Sequence, residues 1–248
     1  MMPKYDLFLP LPLMNAAGSL GFAPDPTSGV DLEQLGAFVT NPISLRPRAP
    51  AQNRAYLPFP GGFLLHSGHP NPGFREAVRR NQGRWARSAL AIIVHLLAES
   101  PETLASMVNQ LEGMEGVIGV EISLPADADA QMGLDFTQAA VGELPVIVRL
   151  PVESALELGW ALAGSGAAAF SLGPPRGRMP YTQGKARHGR LYGPAVFPQA
   201  LYLVEQLSQG LLPVIGAGGI YSQEDKEAML AAGAMAVQLD AVLWRGGW

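Results

Sequence analysis

Apolar residues in this chain come in short, nearly unbroken runs, and polar residues collect between them. Eight such runs fall at residues 13–17, 37–41, 90–95, 119–124, 145–150, 167–172, 213–217 and 236–239. Continuous rather than alternating apolarity predicts parallel strands buried on both faces. Helical signals lie between several of them. Ser100-Pro101-Glu102-Thr103 sets a capping serine, a proline at the first helical position and an acid behind it, opening a helix toward Gly113. Ser222-Gln223-Glu224-Asp225 places a cap and two acids ahead of a helix running to Gly233. Residues 153–162 and 198–209 are amphipathic or apolar at helical spacing. Eight strands alternating with helices over 248 residues predict a (β/α)8 barrel, with residues 1–248 as one domain. Two departures stand out. Residues 42–81 show no helix before Pro72, and Trp248 follows the eighth run too closely for a full final helix. A second copy covering that seam would make a homo-oligomer.

Composition narrows the function classes. Hydrophobic residues make up 48% and charged residues 15%, against roughly 25% charged in an average soluble domain, so disorder is excluded. A net charge of −4 argues against a general nucleic-acid surface. The absence of cysteine removes disulfides, thiolate metal sites and a cysteine base or nucleophile. No run approaches the roughly 18 apolar residues of a membrane span. The first apolar stretch is broken by Pro10 and Pro12 and reads as mature protein. The expectation is a cytoplasmic enzyme with no membrane partner.

In a (β/α)8 barrel, function sits on the loops at the C-terminal ends of the strands. After the seventh run comes Gly216-Ala217-Gly218-Gly219-Ile220, then the capped helix. Glycines let backbone N–H groups approach an anion, so the turn reads as a phosphate grip or as a tight turn needing positive φ. The eighth run ends in Gln238-Leu239-Asp240-Ala241, and an ionised Asp240 beside a phosphate would repel it. Residues 173–193 hold Arg176, Arg178, Lys185, Arg187 and Arg190 with no acid, which points to an anionic ligand or to a solvated flexible loop. Arg149 closes the fifth run, where a charge is costly unless paired, with Glu121 or Glu153 as the alternative partners. His66, Ser67, Gly68, His69 and Asn71 sit in one loop and offer polar contacts to a small planar ligand; too few acids or thiols surround them to predict a metal site.

Several of these stretches resemble the dihydroorotate dehydrogenase family in order and spacing. They are Met14-Asn15-Ala16-Ala17-Gly18, Gly36-Ala37-Phe38-Val39-Thr40, residues 66–73, Glu121-Ile122-Ser123-Leu124-Pro125, and residues 144–151, 189–195 and 212–219. The likeness runs from about residue 12 to residue 242. It implies a (β/α)8 barrel that binds flavin mononucleotide (FMN) and oxidises dihydroorotate in pyrimidine biosynthesis. Carried over by position, it implies that Ala16, Ala17, Gly18, Thr40, Asn41, Arg149, Ser171, Gly193, Gly218 and Gly219 face FMN. Asn41 and Arg149 stand where the family has lysines, and Asp240-Ala241 where it has Gly-Thr at the phosphate. His66, Ser67, Gly68, Asn71 and Glu121 fall on the substrate positions. The family's base aligns on Leu124, one position from Ser123, and Ser123 is the hydroxyl nearest that role, with water held by His66 or Glu121 as the alternative. Arg149 would offset charge on the reduced ring. The expected partner is a small anionic substrate. Two further readings stay open: a barrel serving as a binding or assembly subunit, and a flavin-free enzyme acting on a phosphate-bearing ligand.

Overall fold

The computed structural model describes residues 7–125, 127–182, 185–210, 212–245 and 248. Each of the eight apolar runs contains a parallel strand. These are β1 (Leu13–Asn15), β2 (Phe38–Val39), β6 (Ile92–Leu97), β7 (Val117–Ser123), β8 (Val146–Leu150), β9 (Ala169–Leu172), β12 (Val214–Ala217) and β13 (Ala236–Leu239). Their order around the sheet is β1-β13-β12-β9-β8-β7-β6-β2, and a parallel bridge from Met14 to Ala37 joins the two ends. The chain is a (β/α)8 barrel.

Alternation along each strand sorts the side chains into two sets. On β7, Val120, Ile122 and Leu124 pack outward into the core beneath the helices. Inside the barrel, a separate apolar cluster gathers Met14, Val39, Ile93, Ile147, Ala169, Ile215 and Ala236. Two residues further along their strands come His95, Arg149, Ser171 and Gln238, with Glu121 of β7 beside them, all buried. The barrel interior is therefore apolar below and polar at its C-terminal end.

Helices α1 (Phe74–Ala86), α2 (Pro101–Leu111), α3 (Ala130–Ala140), α4 (Ala155–Ala161), α5 (Phe197–Gln209) and α6 (Gln223–Ala231) cover the outside. Ser100 caps α2 by accepting the Thr103 N–H, and Ser222 forms a reciprocal capping box with Asp225 at α6. The chain between β1 and β2 makes only a short 3-10 turn, Leu32–Gln34, and the segment after β13 makes another, Ala241–Arg245. Helix α3 carries no strong sequence signal because Gly133 interrupts its pattern. That glycine sits against Leu162, 3.3 Å from where a Cβ would lie, where α3 meets the end of α4.

Residues 42–81 and 173–193 prove to be more than loops. After β3 (Ile43–Ser44), which pairs with β6, they supply β4 (Ala55–Phe59), β5 (Gly62–His66), β10 (Arg176–Pro180) and β11 (Ala186–Tyr192). These form a four-stranded antiparallel sheet in the order β10-β11-β5-β4. Pro58 fits on β4 because β4 is an edge strand. The arginines of the basic segment thus stand on a hairpin, with Arg176 opposite Arg190 and Arg178 opposite His188.

Candidate active site

The polar layer of the barrel is organised by Glu121. Its Oε2 lies 2.5 Å from His95 Nδ1, and its Oε1 accepts from Ser171 Oγ and from Gln238 Nε2, each at 2.8 Å. His95 and Glu121 are neighbours in register on β6 and β7, and both are 0% exposed. Burial alone would raise the Glu121 carboxyl, but the His95 hydrogen bond, the nearby Arg149 charge and the Gln238 amide hold it below its ordinary range. Burial lowers His95 more than the carboxylate raises it, so the imidazole is neutral. With Glu121 ionised, the single ring proton belongs on Nδ1, where it is donated to the carboxylate. His95 Nε2 is then an acceptor, and Ser123 Oγ stands 3.0 Å from it. Serine, neutral histidine and ionised glutamate form one hydrogen-bonded line, the arrangement that lets a hydroxyl give up its proton.

This line opens into a cavity of about 430 Å³ at the end of the barrel. Ser123 and His95 lie on its wall with Arg149, Arg48, Arg176 and Arg190, and Glu99 and Glu153 lie along it too. Ser123, Arg149 and Ser171 are in register on three adjacent strands. Arg149 is 8% exposed and, among the described residues, has no carboxylate within salt-bridge distance; it makes a long hydrogen bond, Nε to the Leu172 carbonyl at 3.4 Å. Glu121 is committed to His95, Ser171 and Gln238, and Glu153 accepts the Arg176 backbone N–H at 2.7 Å. Arg190 is likewise without an acid among the described residues, and burial lowers its pKa. His69 lines the cavity as well; burial and the neighbouring Arg190 push it down to about 2, so it is a neutral donor or acceptor. A second cavity of about 530 Å³ shares Arg48, His69, Arg176 and Arg190 and adds His66, Ser67 and Gly68.

The residues singled out from sequence divide into two groups. Ser123, Arg149, Glu121 and Ser171 come together in or directly beneath the first cavity. The family's base aligned on Leu124, but alternation turns Ser123 inward and Leu124 into the outer core. Thr40 supports the line from behind: its Oγ accepts the His95 backbone N–H at 3.0 Å and donates to the Asn41 carbonyl. His66, Ser67 and Gly68 face the second cavity, but Asn71 does not. Its amide is used inside the loop, accepting from the Ser44 and Gly73 N–H groups and donating to the His69 carbonyl. His95 and Gln238 escaped the sequence reading as site residues. The available signal was a polar side chain two residues beyond an inward apolar one at the end of each run.

The remaining positions are occupied with one another. Asn41 Oδ1 accepts the Gly21 N–H, and Ala16 N–H pairs with the Leu239 carbonyl. Gly18 turns at φ 96°, and Gly193, at φ 118°, lies so close to Gly62 that a Cβ would meet its Cα at 2.4 Å. Gly218 and Gly219 turn at φ 107° and 73°. Added Cβ atoms there would meet Ala200 Cβ at 3.3 Å and Phe197 N at 2.5 Å, so packing against α5 crowds Gly218 and requires a glycine at 219. Asp240 is buried, the register of β12 on β13 carries it alongside this turn, and its carboxylate accepts the Ala241 N–H. A phosphate ester carries a charge of about −1.5 to −2 near neutral pH. A carboxylate in the seat of the glycine turn does not fit the phosphate of FMN. Among the described residues, no group of three His, Asp or Glu could hold a metal ion, and no helix is long and apolar enough to cross a membrane.

Comparison with known proteins agrees with this architecture. The family model described as dihydroorotate dehydrogenase matches residues 5–145 and 178–248. A protein of Pelobacter propionicus named dihydroorotate dehydrogenase B (NAD(+)), catalytic subunit, is 32% identical over 92% of this chain and 82% of its own length. Proteins of the same name from Desulforudis audaxviator and Geobacter sulfurreducens are each 32% identical, over 93% and 92% of this chain and 82% of their own lengths. On fold, polar layer and sequence together, the chain belongs to the dihydroorotate dehydrogenase family.

Proposed function

We propose that this chain binds a small planar anion of the dihydroorotate class in the arginine-lined cavity and removes a proton from a carbon beside a carbonyl, with Ser123 as the base. The observation that carries this reading is the pair of guanidiniums, buried Arg149 and partly buried Arg190, lining the cavity with no carboxylate partner among the described residues. A buried charge needs a counter-charge, and a substrate carboxylate or imide supplies one in bidentate form. In the step itself, Ser123 Oγ takes the carbon-bound proton while its own proton passes to His95 Nε2. The resulting imidazolium is held by Glu121, and the electron pair left on the substrate delocalises as an enolate whose charge faces Arg149.

Oxidation would further require a hydride acceptor. FMN is the acceptor that the family likeness implies, and no step is assigned to it because the Asp240 seat does not fit its phosphate. The relatives' name, catalytic subunit of an NAD(+)-linked enzyme, supports assembly with a second subunit. A second reading, a barrel that binds its anion without oxidising it, is favoured by Asp240.

Exchange of carbon-bound hydrogen tests the proposal without any electron acceptor. Dihydroorotate in D2O, followed by NMR, should lose its carbonyl-adjacent proton signal in the presence of the protein. Ser123→Ala should slow this by about 10²–10⁴, the usual worth of a positioned base. Orotate binding without exchange would leave only the binding-subunit reading. Neither binding nor exchange would overturn both.

A further inference from the structure

We propose that Asp240 and Trp244 together form a built-in replacement for the phosphate end of a flavin nucleotide, so that this family member excludes FMN from the glycine turn after β12. The proposal rests on what those two side chains touch. The register of β12 on β13, with Ala217 beside Gln238, carries Asp240 alongside the Gly218-Gly219 turn, where its side chain is buried. Its carboxylate takes the Ala241 N–H at 2.5 Å, which anchors it at the end of β13. Among the described residues no cation lies within salt-bridge distance of it, although the Arg149 charge reaches it, so a second anion placed there would meet a like charge. Burial lifts Asp240 to about 6, which leaves it ionised at pH 7.5.

Trp244 closes the adjoining space. The short 3-10 turn Ala241–Arg245 carries its indole back across the barrel mouth, where Nε1 donates to the Ser19 carbonyl at 3.1 Å. The ring packs 5.6 Å from Tyr192 and 6.0 Å from Phe63, joining the β1 loop to the antiparallel sheet. On the other side of the turn, Phe197 and Ala200 of α5 fill the approach to the two glycines. Below, Ser171 is bound to Glu121 and Thr40 to His95, while Gln238 Oε1 is buried without a partner. The proton-transfer proposal uses a different space, the arginine-lined cavity that has Tyr192 in its wall and neither Asp240 nor Trp244.

The test is FMN binding, read by quenching of flavin fluorescence and by the visible spectrum after desalting, at pH 7.5. The purified chain should come through colourless after incubation with 100-fold excess FMN. Asp240→Asn keeps the size and an acceptor oxygen for the Ala241 N–H, and should bind FMN at least tenfold more tightly. Asp240→Asn combined with Trp244→Gly should retain FMN through desalting. Stoichiometric FMN in the unaltered chain would overturn the proposal. So would an unchanged affinity in both variants, provided that their thermal unfolding shows them folded. Orotate binding measured on the same samples separates this result from any failure of the proton-transfer reading.

Discussion

Glu121 is the residue on which the polar layer depends, and its removal can be worked through from the contacts. Glu121→Ala strands the His95 Nδ1–H, the Ser171 hydroxyl and the Gln238 amide, all within residues that are 0% exposed. A buried donor left without an acceptor costs about 1–3 kcal/mol. The Ser171 hydroxyl can rotate to another acceptor, but the imidazole and the amide are fixed by their strands, so two donors bear the loss. That gives about 2–6 kcal/mol, centred on the 3–5 kcal/mol typical of breaking a buried pair. At about 2–4 °C per kcal/mol for a chain of this size, Tm should fall by about 10–15 °C. Glu121→Gln behaves differently. Its oxygen can keep Ser171 and Gln238, while its NH2 faces His95 Nδ1 and drives the ring proton to Nε2. Ser123 then faces a donor instead of an acceptor. Stability should fall by only about 1–2 kcal/mol, yet proton exchange should drop by as much as about 10⁴, as when a triad's orienting acid becomes an amide. Thermal unfolding by circular dichroism and the deuterium-exchange assay read the two effects separately. An alanine variant within about 1 kcal/mol of the parent, or a glutamine variant that exchanges at the parental rate, would refute the network.

Arg149→Met should weaken orotate binding by about 10–100-fold, the worth of a charge-assisted hydrogen bond, while leaving stability unchanged or raised, since it removes a buried charge that the protein leaves without an acid; calorimetric titration and urea unfolding decide it. Both His95 and His69 are held neutral by burial. As pH falls below about 6.5 the unfolded chain takes up protons that the folded chain refuses, so stability should decline from pH 7 toward pH 5. His69→Gln should flatten that slope in urea midpoints measured across the range, and a parental slope in this variant would count against a buried neutral His69. Gly219→Ala places a Cβ 2.5 Å from Phe197 N at φ 73°, whereas Gly164→Ala, at φ 75°, meets nothing within 4 Å. The Gly164 variant should cost about 1 kcal/mol of backbone strain and the Gly219 variant at least about 2 kcal/mol more; equal losses would mean that α5 yields to the turn.

How far these features were legible in the sequence follows from their physics. The eight strands were visible because parallel strands buried on both faces must be apolar throughout, and each run indeed holds one. The antiparallel sheet was not visible, because β10 and β11 read Arg-Gly-Arg-Met-Pro and Ala-Arg-His-Gly-Arg-Leu-Tyr, with charges where a strand pattern shows apolar side chains. The strand character of β11 comes from pairing in register with β5, a long-range contact that no local pattern encodes, and β10 pairs in turn with β11. Ser123, Arg149 and Glu121 were legible as polar residues in apolar runs. His95 was overlooked for a local reason: a lone histidine ending a strand has many bland explanations, and its partner lies 26 residues away. The glycine turn was legible as a turn, but its neighbour Phe197 and its anion Asp240 arrive from other elements.

The charge balance across the cavity ties these observations to the proposed chemistry. Glu121 brings one buried negative charge, and its lone pairs are taken by His95, Ser171 and Gln238. Asp240 brings another beside Ala241 and is not itself part of the cavity wall. Neither carboxylate lies within salt-bridge distance of Arg149 or Arg190, although the Arg149 charge is felt by both. A protein that had only to stabilise this barrel would gain by replacing those arginines with apolar side chains of similar volume. Their retention next to a hydroxyl poised on a neutral imidazole makes sense when the missing counter-charge arrives with the ligand. An anion held by two guanidiniums would then place an acidic carbon within reach of Ser123, and its enolate would develop against Arg149.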